Sequence, residues 1–482
     1  MGWQPTEPGE LGEVAHAELG FGQGVSASIH AAANPGVFVG TDFNPAQAAH
    51  ASALAQAAGS GARLYDDSFE QLLARTDLPQ FDSISLHGIW SWVSRENRHY
   101  MVELARRHLK PGGVFYMSYN CFPGWAPAHP LRQLFVLHDR YAPRPHGATE
   151  RVNAALAFSE ALLAAQPNYL KAAPQLPDRL KAILAQNRQY LAHEYFNRDW
   201  NCMYFTDVVD ALAPAKLTFA CSAVPLDTVD AVNLSAAGAA FLATLEHPIL
   251  REQARDYFVN QQFRKDLYLR GASRLSASQQ RALLLETRLV LLQPADAVSL
   301  KVVGAAGEAA LQEAVYAPLL AALAARQHAP KTLRELAQAL PDMAWVQLQE
   351  AVVVLVGTGA VAPCQSEAAA KQVHKRCVAL NRHLRERARL SNEIETLASP
   401  VTGGGVAVNR FQQLFLNAVE QGRKQPVEWA QQVWQILASQ DQRLLKDGQA
   451  LASAEENLAE LTNQATSFAQ KQLPILKALQ VA

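Results

Sequence analysis

Glu18-Leu19-Gly20-Phe21-Gly22-Gln23-Gly24 (ELGFGQG) closes a β-rich run and opens a helical one. Glycine has no Cβ, so the backbone there can turn tightly and let a ligand approach. The helix beyond it presents unpaired N–H groups in its first turn. Working outward, β-rich runs fall at 14–20, 37–42, 62–66, 81–87 and 113–120. Ala- or Leu-rich helical segments fall between them at 26–33, 46–58, 69–76 and 95–109. This alternation predicts an α/β fold, a parallel sheet with helices on both faces. Lys110-Pro111-Gly112-Gly113 is expected to turn the chain from the last of these helices into the fifth strand.

Two ligands suit such a loop. The dinucleotide fingerprint G-x-G-x-x-G/A fails from Gly20 at Val25 but is met from Gly22 by Gly24 and Ala27, so the glycines alone leave a dinucleotide open. An acid two residues before the first glycine instead gives E-x-G-x-G-x-G, the pattern of S-adenosylmethionine (SAM) sites. SAM has no phosphate but carries an α-amino group, a carboxylate and a sulfonium. Glu18 suits its cationic end through a charge-assisted hydrogen bond and would sit badly beside a pyrophosphate. Next comes Gly40-Thr41-Asp42-Phe43-Asn44-Pro45. Asp42 ends the second strand, where an acid can accept both ribose hydroxyls, with Asn44 beside it. Asp66-Asp67 follows the third strand and can accept the adenine amine. Acids at three consecutive strand tips point to a nucleoside on the edge where open α/β sheets bind ligands. The plainer alternative is that Asp42 and Asp66 are helix N-caps.

ELGFGQG, GTDFNP, FDSISLHG, GIWSWVS and KPGG resemble class I SAM-dependent methyltransferases, over about 120 residues. SLHGIWSWVSRENR, SYNCFPGW, LAHEYFNRDW and LASPVTGGGV resemble bacterial methyltransferases that carry a methyltransferase regulatory domain. The best-described relatives of that group are the rickettsial-type protein lysine methyltransferases. The second resemblance spans nearly the whole chain but says less about substrate. Together they imply a Rossmann-like class I sheet, SAM as cofactor and methyl transfer as reaction. They place Glu18, Gly20, Gly22, Gly24, Asp42, Asn44, Asp66, Asp67 and His87 at the cofactor. Such enzymes usually have helical sequence before the first strand. Here residues 1–13 precede it, so either the start is truncated or the cover of the pocket comes from elsewhere in the chain.

Methyl transfer is an in-line displacement, and positioning supplies much of the rate. A lysine acceptor must first lose a proton. With a pKa near 10.4, about one in 2,500 is neutral at pH 7, a cost of roughly 4–5 kcal/mol. A desolvated, aromatic-lined cleft lowers that cost. The loop after the fourth strand faces the methyl group in class I enzymes. It offers His87 as a cofactor contact or proton relay, with Trp90 and Trp92 as channel walls. Tyr119 and Trp125, after the fifth strand, are candidate acceptor contacts. Ordinary core packing is the alternative for each aromatic. His193-Glu194-Tyr195-Phe196-Asn197 lacks the second histidine of a zinc HExxH motif, so no metal is expected. That segment either reaches over the site or makes buried structural hydrogen bonds.

With 482 residues, 49% of them hydrophobic and 18% charged, the chain has room for about three globular domains. Forty-three Lys+Arg against 44 Asp+Glu give a net charge of −1, without the basic excess of a dedicated nucleic-acid or anionic-membrane binder. The longest apolar run, 314–325, is too short to span a bilayer, which needs roughly 20 residues. No N-terminal export signal is evident. Five scattered cysteines form no CxxC and suggest a cytoplasmic protein. The expected layout is a methyltransferase domain over 1–272 with a helical insertion at 127–209, and a linker at 273–279. A winged-helix-like middle domain over 280–365 and an α-helical C-terminal domain over 366–482 follow. The third helix of the middle domain, WVQLQEAVVVLV, has no Arg or Lys and reads as a protein-contact or packing element rather than a DNA reader. The run 382–389, RHLRERAR, reads as a solvated helix face. The combined reading is a SAM-dependent methyltransferase acting on lysine side chains of a protein substrate, docked by the middle and C-terminal parts. The rival readings are a small-molecule or glycan-precursor methyltransferase and an inactive binding scaffold. The sequence leaves the oligomeric state open.

Overall fold

Alternation along the first strand sets the sheet. In β1 (Ala15–Leu19), Ala15, Ala17 and Leu19 are buried on one face, while His16 and Glu18 point to the other. β1 runs parallel to β2 (Val37–Thr41) and β4 (Phe81–Leu86). Parallel pairing continues outward to β3 (Arg63–Tyr65) beyond β2 and to β5 (Leu109–Asn120) beyond β4. β7 (Phe263–Arg270) lies antiparallel between β5 and β6 (Leu217–Ser222). The order is β3-β2-β1-β4-β5-β7-β6, which reverses between β1 and β4, the place where such sheets hold ligands. The computed structural model describes residues 14–142, 147–271, 273–446 and 448–482. The short N-terminal lead at 1–13, Pro143 and Pro145 within the insertion, and residue 272 lie outside the described residues.

Helices α1 (Val25–Ala33), α2 (Pro45–Ala58), α3 (Phe69–Ala74) and α4 (Arg95–His108) fall where the pattern placed them. The expected turn at 110–113 is instead part of β5. Pairing jumps from Phe81–Leu109 to Ser83–Val114, so the segment bulges within the strand, with Gly112 at φ 78°. Lys110, buried there, donates to Asp82 at 2.8 Å, and the same Asp82 oxygen accepts the Ala15 N–H at 2.8 Å.

The insertion forms helices His129–Tyr141, Ala148–Ala164, Leu176–Leu184 and Arg188–Phe196, around Phe135, Leu156, Leu180 and Tyr195. In the middle unit, strand Arg288–Leu291 lies between Lys331–Thr332 and Val361–Cys364, antiparallel to both. Helices Glu313–Ala324, Leu333–Ala339 and Trp345–Gly357 come in the expected order. The central strand precedes the helices, and a separate hairpin follows it, Lys301–Gly304 with Gly307–Ala310.

The C-terminal part is mainly helical, as expected, with a β-hairpin, Thr396–Ser399 with Gly404–Ala407, between its first two helices. Val373, Cys377, Leu380 and Leu384 of the long Glu367–Arg387 helix share one core with Ile29, Ala32 and Ala33 of α1 and Leu54 and Ala58 of α2. The small side chains of α1 let it pack against the C-terminal part while still serving the sheet. Ala31, Ala32 and Ala33 have no exposed surface. Among the described residues no helix is long and apolar enough to cross a membrane.

Candidate cofactor and acceptor site

The glycine loop leaves β1 through three left-handed residues: Gly20 at φ 73°, Gly22 at 58° and Gly24 at 71°. A Cβ at Gly20 would collide with Ile89, and one at Gly24 with Ala51, so these two glycines answer to packing. A Cβ at Gly22 would meet nothing within 4 Å, which leaves this residue facing open space.

Asp42 is 7% exposed and ties two strand tips together. Its Oδ2 accepts the Gly22 N–H at 2.9 Å and its Oδ1 accepts the Asn44 N–H at 3.0 Å. The caps of α2 and α3 are Asn44, accepting from Ala46 N at 3.0 Å, and Ser68. Neither Asp42 nor Asp66 caps those helices, which disposes of the plainer reading. At the third tip the two acids separate. Asp67 pairs with Arg75 at 2.5 Å, whose guanidinium lies 3.6 Å from the Tyr65 ring centroid, whereas Asp66 is exposed. One residue went unnoticed in the sequence. Phe43, directly after Asp42, is 79% exposed, a large apolar ring standing beside the ribose candidate. Its position next to a strand-tip acid is the signal that could have found it.

Glu18 lies on the sheet face opposite the core, beside a cavity of about 270 Å³ lined also by His16, His30, Asn34, Ser83, Ser85 and Gly403. Its carboxylate has no hydrogen-bond partner among the described residues, and burial pushes it up to about 7. That acid is poised to ionise when a cation arrives. Bent glycines, an open Gly22, a buried acid at the second tip and an uncompensated Glu18 fit the shape and charge of SAM.

His87 stands exposed at the tip of β4. Its Nδ1 is 2.7 Å from the Tyr116 hydroxyl, its ring stacks on Tyr116 at 6.0 Å, and its other neighbour is the edge of Phe263 at 6.1 Å. Desolvation, and then Lys265, hold its imidazole below the ordinary value, while burial pushes the Tyr116 phenol up to about 12. Tyr116, Phe263 and Lys265 were not read as site residues. The latter two come from β7, far along the chain.

Trp90 and Tyr119 are corrected by their burial. Both have no exposed surface, so neither lines a channel. Trp90 donates to Met203 Sδ at 3.3 Å inside the sheet core. Tyr119 donates to Asp266 at 2.8 Å, and Asp266 also accepts from Arg264 at 2.9 Å. Arg264 reaches on to Asp256 and, at 2.7 Å, to Glu252. Strand alternation explains the error: Tyr116 and Ser118 face the side that carries His87, and Tyr119 faces the other. Trp92 and Trp125 are also buried, packed on the insertion. There Trp92 Nε1 donates to the Glu194 carbonyl at 3.4 Å. Glu194 itself is half-buried, and burial holds its carboxyl above the ordinary range.

A separate cleft of about 570 Å³ opens on the far side of the sheet, between β6, β7, the helix Pro248–Val259 and the residues Val303, Gly304 and Ala305. Asp227, Asp230, Glu252, Asp256 and Asp266 line it against Arg255, Arg264 and Lys265. Burial pushes Asp256 up to about 7 despite its contact with Arg264.

A family model described as "Methyltransferase domain" matches residues 17–113, and one described as "Predicted methyltransferase regulatory domain" matches 187–270. The second stretch supplies β6 and β7 and the Arg264 cluster. Uncharacterized protein sll1526 of Synechocystis sp. is 39% identical over 471 residues, covering 97% of this chain and 91% of that protein. Uncharacterized protein RP789 of Rickettsia prowazekii is 25% identical over 256 residues, 52% of this chain and 45% of that one. PKMT2 from Rickettsia typhi, solved in complex with AdoHcy, shares the fold with a TM-score of 0.69 at 17% identity, covering 98% of this chain and 95% of that one. Sheet order, loop and matches define a class I SAM-dependent methyltransferase. The chain belongs to the same family as the Synechocystis protein and joins a methyltransferase domain to a methyltransferase regulatory domain.

Proposed function

We propose that this methyltransferase transfers the methyl group of SAM to lysine side chains of a protein. The observation that carries this reading is the acid-lined cleft at β6 and β7, the outer strands of the same sheet, shared with the middle unit. A closed aromatic pocket would favour a small molecule, and the aromatics that could have built one lie in the core. Five carboxylates against three cations in the cleft suit an ammonium-bearing acceptor. The resemblance to rickettsial-type protein lysine methyltransferases and the shared fold with PKMT2 support the same reading.

In this reading Gly22, Asp42, Phe43 and Asp66 hold the nucleoside, and Glu18 faces the amino-acid end. With SAM bound, the chemistry it supplies is an electrophilic methyl group on a sulfonium. His87 is the proton carrier. Its lowered pKa keeps it neutral near pH 7, and with Nδ1–H donated to the Tyr116 oxygen its Nε2 presents a lone pair to the acceptor ammonium. Division of the chain near residues 272 and 365 belongs to this proposal, as does docking of the substrate on the middle unit.

The test is incubation of the protein with radiolabelled SAM and cell lysate, followed by mass spectrometry of labelled bands. Label on lysine residues of a protein is expected. Label confined to the small-molecule fraction would remove the protein acceptor, and SAM binding without any transfer would make the chain a scaffold.

A further inference from the structure

We propose that His50 and Arg387 are positioning residues through which the Glu367–Arg387 helix holds the cofactor loop, so that SAM affinity depends on a contact made more than 300 residues away in the chain. The inference rests on the placement of SAM at the glycine loop.

His50 lies on α2. Its Nδ1 is 2.7 Å from the carbonyl oxygen of Gln23, the residue between Gly22 and Gly24, and its Nε2 is 2.6 Å from Arg387 Nη1. The direction of each bond follows from the chemistry of the groups. A guanidinium only donates and a carbonyl only accepts, so Nε2 takes the Arg387 proton and Nδ1 gives its own to Gln23. One neutral tautomer satisfies both bonds, and Arg387 selects it.

The receiving end matters because Gln23 lies between two left-handed glycines. Its flanks have little intrinsic preference for one conformation, and the loop loses much freedom when it orders. Fixing the Gln23 carbonyl fixes the peptide plane that carries the Gly24 N–H, which donates to Phe21 O at 3.0 Å and closes the loop. Asp42 holds the same loop from the other side through Gly22 N–H. At the far end, Arg387 is anchored in the last turn of the Glu367–Arg387 helix, which shares a core with α1 and α2. Arg387 sits in the run 382–389 that read as a solvated face. Arg385 of that run is buried, paired with Glu420 at 2.6 Å.

The experiment uses the full chain and titrates S-adenosylhomocysteine by calorimetry, with the thermal unfolding midpoint recorded for every variant. His50→Phe and Arg387→Leu are each expected to raise Kd roughly fivefold, the worth of one hydrogen bond. The double variant should bind no more weakly than either single one, because both break the same chain. His50→Gln, whose amide can both donate and accept, should restore most of the affinity. A role confined to packing would lower the unfolding midpoint and leave Kd unchanged, and that result would overturn the proposal. Asp42→Ala separates the two layers of the argument. If it weakens binding while Arg387→Leu does not, the positioning role alone is wrong. If Asp42→Ala also has no effect, the cofactor placement is wrong and the inference falls with it. Should His50→Phe fail to fold, Arg387→Leu, on a different element, decides by itself.

Discussion

Asp42 Oδ2 accepts the backbone N–H of Gly22 at 2.9 Å, so the acid at the tip of β2 braces the glycine bend that leaves β1. One carboxylate thereby shapes the loop and, in the proposed reading, also faces the ribose, so its removal is expected to act twice.

Asp42→Ala is expected to weaken SAM binding tenfold or more, through the lost acceptor and the loosened loop. Phe43→Ala should also weaken binding but leave the unfolding midpoint unchanged, since that ring is 79% exposed and supports no packing. Calorimetric titration of SAM beside thermal unfolding checks both. Unchanged affinity in Asp42→Ala would reject the ribose assignment.

Glu18 is expected to make SAM binding pH-dependent. Burial pushes its carboxyl up to about 7 from an ordinary value of 4.5, so the folded, ligand-free protein holds a proton there that the unfolded chain has lost. Its favourable contribution to stability is therefore fully present below about pH 4.5 and is lost as pH rises through about 7. The cationic end of SAM prefers the ionised acid, so affinity should rise over the same range. Titrations at several pH values should show this rise in the native protein and a flat profile in Glu18→Gln. An equal slope in the two would remove Glu18 from the site.

Tyr119→Phe tests the correction made by burial. The phenol donates to Asp266 in a network with Arg264. Its loss is expected to cost about 1–3 kcal/mol of stability, read by denaturant unfolding. The KM for acceptor should not change. A raised KM at normal stability would return Tyr119 to the acceptor channel.

Truncation after residue 365 would strip the Glu367–Arg387 helix from α1 and α2 and bare Ile29, Ala32, Ala33, Leu54 and Ala58. The shortened chain is expected to bind a hydrophobic dye and to lose SAM affinity. A soluble, SAM-binding fragment of 1–365 with no dye binding would show that the shared core is dispensable.

Much of this was legible in the residues because it is local. The strand and helix positions of the first unit follow from periodicity, and Asp42 can be singled out because an acid at a strand tip is a matter of spacing. The bulge at 110–113 was misread because Pro-Gly-Gly marks a turn without telling whether pairing resumes on the same strand. The aromatic candidates were misplaced because a shift of one residue along β5 exchanges the core for the site: Tyr116 meets His87 and Tyr119 meets Asp266. Phe263 and Lys265 reach His87 only through the antiparallel pairing of β7 with β5, across about 140 residues of intervening chain.

From the amino-acid order alone came the class of sheet, the glycine bend and the succession of acids that suits a sulfonium nucleoside, since these depend on contacts between near neighbours. Tertiary structure alone decided which aromatics are core, which of Asp66 and Asp67 is already paired, and that the Glu367–Arg387 helix packs on α1 and reaches Gln23 through His50. The reason is physical. Burial and long-range hydrogen bonding are properties of what the rest of the chain brings alongside a residue.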